Sequence, residues 1–351
     1  MSWVRTNLRD FQIRRISRLA RRKILTSDYA AAVRLLQIAN RNLCSPEIET
    51  WLVSLRHEGF FHLEHAPSRE EWPPTVSDIF HGTEGIPEIG SEQFDATTVR
   101  AGVFTNGSII VRNLLCQDDV ELLRNGIIET YRFSSMAKDG ATRSEAMPWY
   151  VPFQQRNQDA AEELNRSWYQ AGGAQLAADS PRSLFNLIEC FEKNGIIKMV
   201  SEYLGERPAL SVRKTSLREI PANLDTELGW HQDGAFLGDG IRTVNVWIAL
   251  TDCGVDAPSM DMVPRRLPSI VPTGTEGAVF DWSISQKMLE EVCGEDPPVH
   301  LNFKAGDAII FDEMNLHRTS TSPSMTKSRF AIEAWFFAPS CFPLEQMPIL
   351  V

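Results

Sequence analysis

The feature that most constrains this fold is a change of pattern near residue 208. Downstream of it, short apolar runs follow one another at 210–220, 243–250, 260–263, 308–311 and 329–337, with Pro, Gly and Asp between them. Several short runs bounded by turn residues predict an all-β sandwich or barrel rather than alternating βαβ units.

Upstream the pattern is helical. Leu8, Phe11, Ile16 and Leu19 are spaced three to five apart with arginines between them, and 29–43 continues in the same style, so residues 1–65 read as helical. Pro67, Pro73, Pro74, Gly82, Gly85, Pro87 and Gly90 make 66–98 a linker or an irregular wrap. A β-like run covers 108–112. A helix is expected from Gln117 to Tyr131, with Asp118 and Asp119 suited to its N-terminal dipole. Residues 132–175 read as irregular. Two further helices follow, one from Ser180-Pro181 to near Gly195 and one ending at Gly205. The expected organisation is a helical N-terminal extension and linker over 1–98 and a β-rich domain over 99–345.

Charge divides the same way. Residues 1–24 carry +7 and the remaining residues −18, for a net charge of −11 over 351 residues. An acidic body argues against nucleic acid as the main partner. The basic start reads as an amphipathic helix docked on the protein. A membrane-surface or partner-binding arm and an Arg-rich targeting peptide are the other readings. Cys44, Cys116, Cys190, Cys253, Cys293 and Cys341 are far apart with no C-x-x-C pair, and no secretion signal is evident. The expected location is therefore reducing and cytoplasmic. No apolar run approaches the ~18–20 residues of a membrane span.

Two of the seven histidines have an acid two residues on: His231-Gln-Asp233 and His62-Leu-Glu64. On a strand, positions i and i+2 share a face, so a His-x-Asp pair can hold one metal ion. A later histidine would complete a two-histidine, one-carboxylate triad, the site of non-haem Fe(II) oxygenases. His317 follows the 308–311 run, and twelve residues later Arg329 opens an apolar strand. An arginine there has few structural roles beyond a bidentate link to a buried carboxylate. No such pattern follows His62 and Glu64, which read as surface residues.

Several segments together resemble the phytanoyl-CoA dioxygenase family: 229–234 (GWHQDG), 244–250 (VNVWIAL), 304–311 (KAGDAIIF), His317 and Arg329, with 107–115 and 202–206 upstream. The resemblance covers about residues 100–340. It implies a double-stranded β-helix (a cupin-like jelly roll) flanked by helices, and an Fe(II)- and 2-oxoglutarate-dependent dioxygenase acting on a small-molecule metabolite. It implies that His231, Asp233 and His317 bind iron and that Arg329 holds the far carboxylate of 2-oxoglutarate. Thr319 matches a hydroxyl that assists this arginine, and Trp247 an aromatic near the cosubstrate. O2 is the second cosubstrate, and ascorbate is expected to support turnover. One of Lys214, Ser216 and Arg218, which alternate along one run, is expected to face the cosubstrate.

The sequence departs from the family in one loop. Arg265-Arg266-Leu267 stands where a Gly-Ser-His follows proline in many members. These arginines read as a solvated loop or as contacts to an anionic substrate group. Asp233 argues against halogenation, because related halogenases have a small residue there. Trp149, Tyr150 and Phe153 read as packing, with a substrate lid as the alternative. The rival to an enzyme is a non-catalytic jelly-roll module whose basic arm binds a partner. Hydroxylation is the expected reaction, with desaturation or ring formation open to the same chemistry, and specialised metabolism is the first expectation for the substrate.

Overall fold

Three helices open the chain: α1 (Ser2–Leu25), α2 (Tyr29–Leu43) and α3 (Pro46–Phe60). The computed structural model describes residues 2–154, 164–222, 229–294 and 296–351, with backbone alone for 2–7. Asp28 caps α2 by accepting from the Ala31 N–H. Ser45 caps α3 ahead of Pro46, whose missing N–H costs nothing in a first turn. Ala20, Ala32, Val33, Leu36, Ile48 and Leu52 meet between the three helices as a separate small core.

The middle of the chain mixes short strands and helices: β1 (Glu88–Gly90), α4 (Ala96–Asn106), β2 (Ser108–Arg112), α5 (Gln117–Lys138), α6 (Arg143–Ala146), α7 (Arg166–Ala171), β3 (Ala174–Leu176), α8 (Pro181–Lys193) and α9 (Ile196–Leu204). Helix α5 runs seven residues past its expected end, because 132–138 contains no Gly or Pro and the first breaker is Gly140. Part of the stretch read as irregular, 155–163, lies outside the described residues. Within the rest, α6, α7 and β3 are short elements that periodicity does not reveal.

The last third holds β4 (Ala209–Ile220), α10 (Gly234–Leu237), β5 (Thr243–Ala249), β6 (Ser259–Met262), α11 (Gln286–Cys293), β7 (Val299–His300), β8 (Ala308–Phe311), β9 (His317–Ser320), β10 (Arg329–Phe337) and β11 (Pro348–Leu350). The larger sheet runs β1-β2-β8-β5-β10-β4-β11, with β3 also paired to β4, and the smaller runs β7-β6-β9. Alternation along the strands builds two cores from one sheet. Val246, Ile310, Ile332 and Phe336 face outward against Leu123, Leu187, Phe191 and Tyr203 of the helices. Trp247, Ile309, Ala331, Trp335 and Phe337 face inward toward Met260 and Met262 of the smaller sheet. This is the expected helix-flanked jelly roll, with both faces of its larger sheet covered.

Strand β4 is irregular at one point. Ala334 of β10 pairs with Thr215, yet Phe336, two residues on, pairs with Leu210. Three extra residues of β4 are accommodated there, and the Lys214 N–H donates to Ser211 Oγ at 2.9 Å inside the bulge. Bulges re-aim side chains beside sites, and this one contains Lys214, whose side chain reaches Asp233.

Candidate metal centre

His231 and His317 meet because their backbones pair. Each N–H donates to the other residue's carbonyl at 3.0 Å, which adds His231 to the edge of the smaller sheet beside β9. The loop before His231 requires glycine: a Cβ on Gly229 would lie 2.4 Å from Ser283 Cβ. After His231 the chain turns into α10, bringing Asp233 under both rings. One oxygen of Asp233 lies 3.5 Å from His317 Nε2. Ligand atoms of the three residues lie within 4.8 Å of one another, and no other group of three such side chains occurs among the described residues.

Hydrogen bonding fixes the imidazoles. His231 Nδ1 is 2.9 Å from the Gly229 carbonyl and His317 Nδ1 is 3.2 Å from the Asn315 carbonyl. A carbonyl only accepts, so each Nδ1 carries the proton and each Nε2 presents a lone pair. Burial, then the neighbouring His317, pushes the His231 pKa down to about 4. Burial lowers that of His317 as well. Burial alone would raise Asp233. Lys214, then the two histidines, outweigh it and hold the carboxyl below its ordinary value. Two neutral nitrogen donors and one carboxylate form a donor set suited to Fe(II). Lys214 Nζ bonds the carboxylate at 2.6 Å from the β4 side.

Arg329 is 1% exposed. Its Nη1 donates to the Ser259 carbonyl at 2.8 Å, while Nε has no partner. The guanidinium lies over the Trp247 ring at 5.4 Å. It makes no ion pair among the described residues, and burial, then Arg218, lowers its pKa to about 10. It is thus a charged, under-satisfied group at neutral pH, and a dicarboxylate end fits it. Register places it relative to the histidines. Ser259 pairs with Ser320 and Met262 with His317, so the two points lie three residues apart on β9, about 10 Å. Thr319 sits between them, on the same face of β9 as His317 and half-buried.

Of the three candidates on β4, Lys214 reaches Asp233 and Arg218 pairs with Glu333 at 2.5 Å. Ser216 is buried opposite Glu333. His62 stacks on Tyr29 at 4.3 Å in the helical region and belongs to no metal group. The reading of Arg265 and Arg266 as a solvated loop is corrected. Arg265 donates to the Val292 carbonyl, and Arg266 bonds Asp312, itself 1% exposed, at 2.6 Å. Tyr150 and Phe153 are buried, and Trp149 lies under Arg182, which accords with packing.

Sequence reasoning missed three groups. Gln232, between the two ligands, is 2% exposed. It donates to the Ser269 and Met314 carbonyls and accepts from the Val271 N–H. Trp282 meets the His231 ring edge-on at 5.4 Å and Phe236 lies 6.1 Å away, forming an aromatic wall. Glu333 faces the interior from β10; its signal was a lone acid within a nine-residue apolar strand.

A family model described as phytanoyl-CoA dioxygenase matches residues 104–331. No curated protein matches the chain. Among solved structures, AviO1 from Streptomyces viridochromogenes Tue57 is 15% identical with a TM-score of 0.45, over 72% of this chain and 98% of that one. The alpha-ketoglutarate-dependent carbocyclase SnoK from nogalamycin biosynthesis is 15% identical with a TM-score of 0.44, over 71% and 86%. EctD from S. alaskensis, solved with 2-oxoglutarate and 5-hydroxyectoine, is 16% identical with a TM-score of 0.44, over 78% and 86%.

Proposed function

The chain belongs to the phytanoyl-CoA dioxygenase family, the non-haem iron, 2-oxoglutarate-dependent oxygenases, and on that premise we propose that it hydroxylates an unactivated C–H bond of a small-molecule metabolite. The overall change is R–H + O2 + 2-oxoglutarate to R–OH + succinate + CO2. The substrate is proposed to be a specialised metabolite, and the cytoplasm is the proposed location, which the six unpaired cysteines support.

When bound, iron and 2-oxoglutarate supply the oxidising power that breaks the C–H bond. The protein's part is positioning. His231 and His317 offer Nε2 as neutral donors, and Asp233 offers one oxygen while Lys214 steadies the carboxylate. These three side chains would hold the iron between them. Arg329 anchors the far carboxylate of 2-oxoglutarate, with Trp247 against its guanidinium and Thr319 within the same interior. Phe236 and Trp282 border the His231 side and give it an aromatic wall.

The observation that carries this reading is the convergence of three ligand side chains in the same interior as a buried arginine with an unpartnered Nε. The test is succinate formation from 2-oxoglutarate with Fe(II) and ascorbate, paired with direct iron binding. The expected result is tight iron binding and slow uncoupled succinate release, both lost in His231→Ala. Arg329→Leu should bind iron normally while the KM for 2-oxoglutarate rises by two orders of magnitude or so, a loss of about 3 kcal/mol. A protein that binds no iron and forms no succinate would instead be a binding module.

A further inference from the structure

Helix α1 has two different faces. Ile13, Ile16, Ala20 and Ile24 pack inward on the helical core. The opposite stripe carries Leu8, Phe11, Leu19 and Leu25 with Arg15, Arg18 and Arg22 between them. Steps of three, four and seven keep these residues on one side of a helix. They project outward: Leu8 is 57% exposed, Phe11 58% and Leu25 85%.

The basic side chains of α1 among the described residues fall into two sets. Arg9 donates to the Leu43 and Cys44 carbonyls, Arg21 lies over Trp51 at 5.9 Å, and Lys23 pairs with Asp28. These tie the helix to the protein. The side chains of Arg14, Arg15, Arg18 and Arg22 are exposed and make no hydrogen bond or ion pair among the described residues. Packing therefore accounts for the inner face of α1 and leaves the outer face, apolar and cationic together, without a structural role.

We propose that this outer face binds the surface of an anionic lipid bilayer, with α1 lying parallel to it. The shape favours a bilayer over a protein partner. The stripe is the convex side of one helix, about 26 Å from Leu8 to Leu25. A folded partner would need a groove shaped to four protruding apolar side chains, whereas a fluid interface gives way around each. Arginine suits that setting, since its stem lies along the apolar layer while the guanidinium reaches phosphate.

Charge supports the same occupant and sets the orientation. The residues after 24 carry −18, so an anionic surface repels the body and attracts only the N-terminal helix. That body is also the rival occupant, because the basic face of one copy could meet the acidic surface of another.

The test uses the full chain and co-sedimentation with vesicles of phosphatidylcholine alone or mixed with phosphatidylserine. Binding is expected only to the phosphatidylserine vesicles, and it should weaken steeply with salt. Each arginine at such a surface contributes about fivefold in affinity, so the triple variant Arg15→Glu, Arg18→Glu, Arg22→Glu should lose well over tenfold. Leu8→Ser with Phe11→Ser should weaken binding while leaving its salt dependence in place. Helicity and iron binding should stay unchanged in both variants, because these side chains hold nothing within the fold. Equal binding by the triple variant, or no binding to phosphatidylserine vesicles, overturns the proposal. So does self-association in light scattering that the triple variant abolishes, which assigns the face to a second copy.

Discussion

Glu313 shows how the residues around the centre are held under tension by burial. It is 9% exposed, its Oε2 has no partner, and Arg266 pairs with the neighbouring Asp312. Burial, then the charge of Asp312, pushes the Glu313 pKa up to about 8. The sign follows from linkage. A carboxyl whose folded pKa is raised stabilises the fold fully below its unfolded value near 4.5, and that contribution is lost as pH rises through 8. His231 acts the other way. Its pKa is depressed from 6.5 to about 4, so its contribution is present above 6.5 and lost as pH falls toward 4. The clean window for Glu313 is therefore pH 6.5 to 8. Glu313→Gln should gain roughly 2 kcal/mol on the wild type between pH 6.5 and pH 8, read from denaturant unfolding of the metal-free protein. Parallel pH curves for the two proteins would show that Glu313 is solvated. At this scale the sequence was informative where a residue has few structural reasons to stand where it does: His231 with Asp233, and Arg329 at the start of an apolar strand. It was silent on Glu313 and Gln232, whose roles depend on which loops fold against them.

At the scale of elements, the centre is a loop pinned to a strand edge. His231 and Asp233 lie between β4 and β5, outside both, and the loop is held by the His231–His317 backbone pair and by Gln232. Gln232 ties it to two further segments, through Ser269 and Val271 on one side and Met314 on the other. Gln232→Ala removes three hydrogen bonds and leaves the buried Val271 N–H without a partner, while the half-buried Met314 carbonyl and the exposed Ser269 carbonyl can turn to water. A buried orphan costs about 1–3 kcal/mol, although water can enter the space and recover part of it. Iron affinity should fall ten- to a hundredfold, as measured by competition with a chelator, with the ligands themselves intact. Unchanged affinity would mean that the backbone pair alone positions the loop. The elements that form this clamp were the least readable. Strand β9 is His-Arg-Thr-Ser, with no apolar run to announce it, and exists because its backbone pairs with β6. The three-residue bulge in β4 is equally invisible, since 210–220 reads as one continuous strand. The strongly apolar strands β5, β8 and β10 were evident because their two faces fill two cores, which demands hydrophobic residues at nearly every position.

At the scale of the molecule, the question is whether the helical start and the jelly roll respond to the metal together. The two are joined by buried contacts. Arg56 of α3 is 3% exposed, and it donates to the Leu350 carbonyl of β11 at 2.7 Å and to Gln37 Oε1 at 2.6 Å. His57 Nδ1 lies 2.9 Å from the Pro348 carbonyl. Arg182 of α8 reaches Glu49, itself 1% exposed, at 2.6 Å. Strand β1, from within 66–98, pairs in parallel with β2 and closes one side of the larger sheet. Strand β11 in turn pairs with β4, which carries Lys214 to the centre. Pulling α3 away would expose Arg56 and leave the Leu350 carbonyl unpaired, so separation of the helices is costly at the same strand edge that supports the site. Metal binding then tests the coupling. A ligand that binds only the folded state adds about 2.7 kcal/mol at a hundred times its Kd. If the helices and the jelly roll unfold as one unit, that increment must appear in both. Hydrogen exchange on peptides from α2 and α3 should slow by up to about a hundredfold when Fe(II), or redox-inert Mn(II), is added at that excess. The strands β5 and β10 should slow by the same factor. Arg56→Met should uncouple the two responses, leaving the increment on the strands and reducing it on the helices. Exchange in α3 that ignores the metal in the wild type would show that the helices open on their own, and that the contacts through β11 do not transmit the stability of the centre.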